Sequence, residues 1–379
     1  MWLAAWLLSW LAPEQPQQAL NAPAEGAVNV FHRHFPNYSD PVAAGPAVLR
    51  PGTPCAVTLF HGVGLRSFEQ VEHAPYAPPS GACAGPWAAV RLRVRGRVRG
   101  VQFDRYGALW LGGVELLRTT TPEPSAAGIE WAVERDLSAY AALFAHPSNA
   151  TLTIPNEVEG EYTGVLNLSA QLLFTPSSEP PSTGDGGDGR LRAAQAGATP
   201  ALPPAPAADE VLSLLRPTHA TGSGASRIWN AITTRGGGNV TGGMRLTRRN
   251  ALRAELHVYA SAHGDEEFWY SNVPDSLVNS TGQRGGGAYR EVEVFVDGVS
   301  AGSAYPFPTI YSGGVCPLLW RPLAGTHSFN LPPLTYDLSP FLPRLNDGET
   351  HQITARVIGN SHGGVWYLDP VLLLWHADD

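Results

Sequence analysis

Three groups of acidic side chains are spaced so that they could do chemistry. Asp104 is followed directly by Arg105; Glu157, Glu159 and Glu161 alternate within Asn156-Glu-Val-Glu-Gly-Glu161; Asp265, Glu266 and Glu267 run into Phe268-Trp-Tyr270. A carboxylate that is partly desolvated beside another carboxylate has its pKa raised, which suits it to serve as base and then as acid. A plainer reading stands beside each. Asp104 and Arg105 lie close to Arg95, Arg97 and Arg99, as an exposed ion-pair cluster would. The three glutamates after Asn156 read equally as a solvated acidic loop. His257 and His263 share a strand parity and, with Glu266, have metal-ligand chemistry, but two histidines six apart are more often surface residues, and no metal is expected. Trp269, Tyr270, Trp366 and Tyr367 are either a stacking surface for sugar rings or core residues. Gly298-Val-Ser-Ala-Gly302 has the Gly-x-Ser-x-Gly spacing but sits at an Asp297-Gly298 turn rather than at a strand-to-helix elbow, and a chain without lysine has no Walker-type phosphate loop, which argues against serine-hydrolase and nucleotide chemistry.

The elements that must position these groups read as strands. In Ala89 to Val98, Val90, Leu92, Val94 and Val98 share one parity and four arginines the other, as in a half-buried strand. The apolar parity slips at Val101 and Phe103, with Gly96 and Gly100 as places for a bulge, so Asp104 is expected at a strand end just past an irregularity. Leu166, Leu168, Ala170, Leu172 and Phe174 alternate in the same way, as do Leu252 to Ala260 and Val292 to Val296 before an Asp297-Gly298 turn. Helical patterns are short, at Ser138 to Ala145 and Glu210 to Leu215. Residues 177–209 are Pro, Gly, Ala and Ser with few large apolar side chains, the composition of a linker. The expectation is an all-β chain of two tandem antiparallel jelly-roll-like β-sandwiches packed side by side, residues 28–176 and 210–379, on either side of that linker.

The chain has 379 residues, a formal charge of −8 and no lysine, so its 25 basic residues are all arginine. A nucleic-acid surface is not expected of such a balance. Met1 to Ala12 is a Trp- and Leu-rich run too short to span a bilayer; residues 1–24 read as a signal peptide, although the basic n-region is missing. Sequons at Asn37, Asn149, Asn167, Asn239 and Asn279 agree with secretory-pathway, extracellular or vacuolar residence. Three cysteines allow one intrachain disulfide, with Cys55 and Cys83 the favoured pair and Cys316 left over.

Several blocks together resemble a known family. Gln102-Phe-Asp-Arg105, Leu109-Trp-Leu-Gly-Gly-Val-Glu-Leu-Leu-Arg118 and Tyr162-Thr-Gly164 look like the first domain of the plant and fungal peptide:N-glycanase A family. Glu267-Phe-Trp-Tyr-Ser-Asn272, Tyr289-Arg-Glu-Val292, Pro306-Phe-Pro308, Leu319-Trp-Arg-Pro322 and Trp366-Tyr-Leu-Asp369 continue the likeness, in order, from about Val30 to Trp375. A cysteine pair usual in the family near Val98 and Thr120 is replaced here. More distantly the chain resembles the bacterial glycanase built of two jelly rolls with an interdomain active site.

The resemblance implies a cofactor-free amidohydrolase that cuts the bond between an N-linked glycan and its asparagine, releasing a glycosylamine and leaving Asp. Its partners would be N-glycosylated peptides or glycoproteins, met by a monomer. It nominates Asp104, Glu267 and Glu157 as catalytic, Asp104 being the base and then the acid. Arg105 would be its counter-charge or a donor to the carbonyl, with Glu266, Trp269 and Tyr270 on the substrate. An acidic pH optimum is expected. The competing reading is a lectin-like glycan-binding protein on the same sandwiches.

Overall fold

The computed structural model describes residues 55–124, 126–177, 206–215, 229–233, 238–314, 324–359 and 364–378. The signal peptide, the Asn37 sequon, Cys316, the Leu319-Trp-Arg-Pro322 block and most of the expected linker lie outside them.

The first half folds as two four-stranded antiparallel sheets. One has the order β1 (Cys55–Leu65), β8 (Leu166–Pro176), β3 (Trp87–Val98) and β6 (Ile129–Asp136). The other runs β2 (Glu72–Tyr76), β7 (Ser148–Thr153), β4 (Tyr106–Leu111) and β5 (Val114–Thr120). Alternation dictates which side chains enter the core: Val90, Leu92, Val94 and Val98 of β3 are buried against Leu166, Leu168, Leu172 and Phe174 of β8. Gly96 is needed within β3 because a Cβ there would stand 2.2 Å from the Trp131 indole. A disulfide joins Cys55 to Cys83, as the spacing favoured.

In the second half one sheet has the order β10 (Ala231–Thr233), β17 (Val365–His376), β12 (Ala251–His263) and β15 (Leu334–Asp337), with β9 (Glu210–Ser213) also on β17. Its partner sheet is β11 (Asn239–Met244), β16 (His351–Ile358), β13 (Glu291–Val296) and β14 (Val299–Ala304). The all-β, jelly-roll-like class is as expected.

Three local expectations are corrected. Glu210 to Leu215 is not helical, because its first four residues pair with Leu374 to Val371 of β17. Leu252 is exposed, since the register shifts between Ala251 and Arg253. The parity slip before Asp104 is not a bulge within one strand: β3 ends at Val98, Gly100 takes a φ of 108°, and residues 99–105 leave the sheet before β4 begins.

The β2–β7–β4–β5 sheet faces the β17–β12 sheet of the other half. Strand β17 is buried on both sides: Trp366, Leu368, Leu372 and Leu374 enter the second core, while Val371, Leu373 and Trp375 join the first. Arg118, 1% exposed, makes paired bonds to Glu115 (2.8 and 2.7 Å) and reaches across to Ser261 Oγ (3.0 Å) and the Tyr367 carbonyl (2.7 Å). The Trp110 indole donates to Asp369 Oδ2 at 2.8 Å, and Tyr106 packs among Trp229, His263 and Tyr367. Burial, with Glu115 beside it, pushes the Asp369 carboxyl well above its usual range.

Candidate active site at the sandwich junction

Asp104 lies in the 99–105 loop that feeds β4, at the rim of this junction. Its Oδ2 accepts the backbone N–H of Gly313 and, at 3.4 Å, the Ser312 hydroxyl, both from the second half. The approach is close: a Cβ on Gly313 would stand 3.0 Å from Asp104 Oδ2 and 2.7 Å from Glu123 Oε2, so either carboxylate would have to shift to admit one. Burial raises the Asp104 pKa, against the Gly313 amide, the Ser312 hydroxyl and the Arg105 charge, which lower it.

Glu267 comes from the other half, just after β12. Gly264 turns the chain with a φ of 58°, and the short 3-10 turn Gly264–Glu266 sets successive acids in different directions. Glu267 lies within electrostatic reach of Asp104 and Arg105. Its pKa is raised from 4.5 to about 7, first by burial and then by repulsion from Asp104, with Arg105 opposing. Asp104 and Glu267, 163 positions apart in sequence, are thus brought together.

Arg105 is 6% exposed. Its Nη2 donates to Gln102 Oε1 (2.6 Å), and its guanidinium lies over the rings of Phe68 and Phe103 at 5.5 and 5.9 Å. Its Nε is buried and has no acceptor among the described residues. Gln102 Nε2 in turn donates to the Glu157 carbonyl at 2.7 Å, which ties the Glu157 loop to Arg105. Glu157 is half-buried and within electrostatic reach of Arg105, whereas Glu159 and Glu161 are exposed. Of the three acids in that loop, the nominated one faces the cluster.

Two nominated substrate contacts are placed elsewhere. Glu266 is 2% exposed and gives both carboxylate oxygens to Arg290 (2.5 and 2.7 Å), with the Trp366 indole donating to it at 3.3 Å. Trp269 is buried in the second core against Trp366 and Arg290. Both hold the second sandwich together rather than lining the junction. Tyr270 is half-buried with its hydroxyl on the Thr309 carbonyl (3.3 Å), and burial and then Glu267 raise its pKa. His257 bonds Tyr140 (2.7 Å) and lies beside Glu255, while His263 bonds Ser261 (2.8 Å), so the two serve separate packing contacts. Asn149, Asn239 and Asn279 are exposed, and Asn167 is half-buried on the outer face of β8.

Several contributors went unread in the sequence: Tyr311, whose buried phenol is raised by burial and then by Glu267 and Asp104; Ser312 and Gly313; Gln102; and the exposed rings of Phe103 and Phe268. The adjacent glycines Gly313-Gly314 were the available signal, and a backbone donor has no side-chain signature.

The arrangement offers two carboxyl groups of unequal environment, a shielded guanidinium with an unused donor, and exposed aromatic faces around them. Such a site can hold a proton on one acid while the other acts as base.

The family model described as "Peptide N-acetyl-beta-D-glucosaminyl asparaginase amidase A" matches residues 41–378. A peptide-N4-(N-acetyl-beta-glucosaminyl)asparagine amidase A from Prunus dulcis is 32% identical over 328 residues, covering 85% of this chain and 54% of that protein, so the chain spans about half the length of this curated relative. Among solved structures, PNGF-II aligns with a TM-score of 0.53 and 11% identity over 86% of this chain and 66% of that one. Recombinant peptide:N-glycanase F aligns with 0.50 and 10% identity over 86% and 96%. At those identities the likeness is one of fold. The family match, spanning nearly all of the described residues, makes the chain a member of the peptide N-acetyl-beta-D-glucosaminyl asparaginase amidase A family.

Proposed function

We propose that this protein hydrolyses the amide between N-linked N-acetylglucosamine and asparagine in glycopeptides or glycoproteins, releasing a glycosylamine and leaving aspartate. The observation that carries the reading is the meeting of Asp104 and Glu267 across the junction, with Glu267 raised to about 7. Asp104, anchored by the Gly313 amide, acts as base toward the attacking water. The Arg105 guanidinium beside the two acids supplies positive charge as negative charge develops on the amide oxygen. Glu267 retains a proton below neutrality and delivers it to the departing nitrogen, a refinement of the roles expected from sequence. Glu157 orients the first sugar. Family membership and the printed names of the relatives support this assignment.

The exposed sequons Asn149, Asn239 and Asn279 and the Cys55–Cys83 disulfide support residence in the secretory pathway, as a glycosylated protein outside the cytosol. Among the described residues no helix is long and apolar enough to cross a membrane.

The test is mass spectrometric. A glycopeptide incubated with the protein in ¹⁸O-labelled water should gain an aspartate carrying the label, and Asp104→Asn should lose that conversion by at least about a hundredfold. Binding of the glycopeptide without conversion by the unmodified protein would favour the lectin-like reading instead.

A further inference from the structure

Six aromatic side chains among the described residues are exposed: Phe68, Phe103, Phe268, Tyr289, Tyr305 and Phe307. The first three surround the acid pair. The other three form a separate patch on the second sandwich, with Tyr305 67% and Phe307 54% exposed. Tyr305 meets Tyr289 edge-on at 5.3 Å, and Phe307 meets His327 edge-on at 5.1 Å, so the rings are held at fixed angles. Between them the Tyr305–Pro308 stretch walls a cavity of about 80 Å³ whose far side is Pro332 and Pro333.

This patch is continuous with the candidate active site along the chain. Thr309, the next residue, accepts the Tyr270 hydroxyl, and the segment then runs to Gly313, which holds Asp104. Phe307 and Gly313 are six positions apart, so the two places are at most about 22 Å apart.

The chemistry of the patch selects among occupants. Pro306, Pro308, Pro332 and Pro333 have no N–H, so these walls cannot pair with an added peptide strand. No Arg or Lys lines the cavity, and the Tyr289 hydroxyl donates to the Glu291 carboxylate at the margin, which disfavours an anionic ligand. Rigid ring faces edged by a hydroxyl and a carboxylate acceptor suit a neutral polyol with an apolar C–H face.

We propose that Tyr289, Tyr305 and Phe307 form a second carbohydrate subsite, which binds neutral outer hexoses of the glycan whose asparagine linkage sits between Asp104 and Glu267. The location of the linkage rests on the amidase reading; the sugar-binding capacity of the patch does not.

Two measurements test it on the intact protein. Titration with a free oligomannose chain, followed calorimetrically, should show binding that Tyr305→Ala and Phe307→Ala each weaken about threefold to tenfold, with Tyr305→Trp retaining it. In turnover, both alanine variants should lower kcat/KM by a similar factor on a glycopeptide bearing the oligomannose chain, and by less than about twofold on the same peptide trimmed to its two core sugars. The subsite is overturned if the free chain does not bind, if the variants bind it unchanged, if an unglycosylated proline-rich peptide binds in its place, or if both glycopeptides suffer equally. Oligosaccharide binding that depends on these rings, with no glycopeptide cleaved by the unmodified protein, would uphold the subsite and sink the amidase reading.

Discussion

Replacing Glu267 by glutamine should stabilise the protein at alkaline pH while abolishing turnover. The folded environment raises this carboxyl from 4.5 to about 7, because its ionised form is desolvated and repelled by Asp104. A group whose folded pKa lies above its unfolded value contributes stability that is fully present below the unfolded pKa and is lost as pH rises through the folded one. For Glu267 the window runs from about pH 4.5 to about pH 7, and the rise corresponds to about 3 kcal/mol. Glutamine keeps the shape and never ionises. The variant should therefore match the parent protein near pH 4.5 and exceed it by up to about 3 kcal/mol at pH 8, seen in denaturant melts as a higher midpoint at unchanged slope. The same proton governs catalysis if Glu267 is the acid. The parent's kcat/KM should decline above pH about 7, and Glu267→Gln should lose at least about a hundredfold at all pH values. A variant no more stable than the parent at pH 8, or a parent rate still rising past pH 8, would refute a Glu267 carboxyl raised by burial and by Asp104.

Three further outcomes follow from the geometry. Gly313→Ala places a methyl 3.0 Å from Asp104 Oδ2 and should reduce turnover tenfold or more with a midpoint shift under about 2 kcal/mol, a split read by pairing rate assays with melts. Arg118→Ala leaves Glu115 buried without its partner and should cost about 3–5 kcal/mol in chemical unfolding, with Arg118→Lys intermediate because the paired geometry is lost. Cys55→Ser opens a loop of 28 residues and should lower stability by about 3 kcal/mol under oxidising conditions, a difference that vanishes when the parent is reduced.

The strands around the site were legible because one face of each is buried. The period of two in Ala89 to Val98 and in Leu166 to Phe174 is what β3 and β8 need in order to fill one core. Where burial comes from both faces, or from a distant partner, the pattern fades. Strand β9 is only half-buried along its length and exists through pairing with β17, 158 positions onward, so its composition read as helical. Among the site residues, acid identity was legible from family blocks and side-chain direction was not. Asp265, Glu266 and Glu267 are adjacent in sequence, yet the turn at Gly264 sends them respectively to Arg284, to Arg290 and to the Asp104 loop. Trp269 followed the same logic inward and left the exposed position to Phe268. For the Gly313 amide the paired glycines were the one hint, since any residue type offers an N–H and only the fold aims it.

The double burial of β17 bears on how a substrate would be admitted. Many two-lobed enzymes open by rocking about a hinge, but here such rocking would tear Val371, Leu373 and Trp375 from one core while Leu372 and Leu374 stay in the other, and would part Arg118 from Ser261 and the Tyr367 carbonyl and Asp369 from Trp110. The lobes are welded. A chain severed between residues 178 and 205 would still travel as one particle. Conformational adjustment then falls to the incoming molecule, which favours sugars borne on slack polypeptide over those seated on a rigid surface.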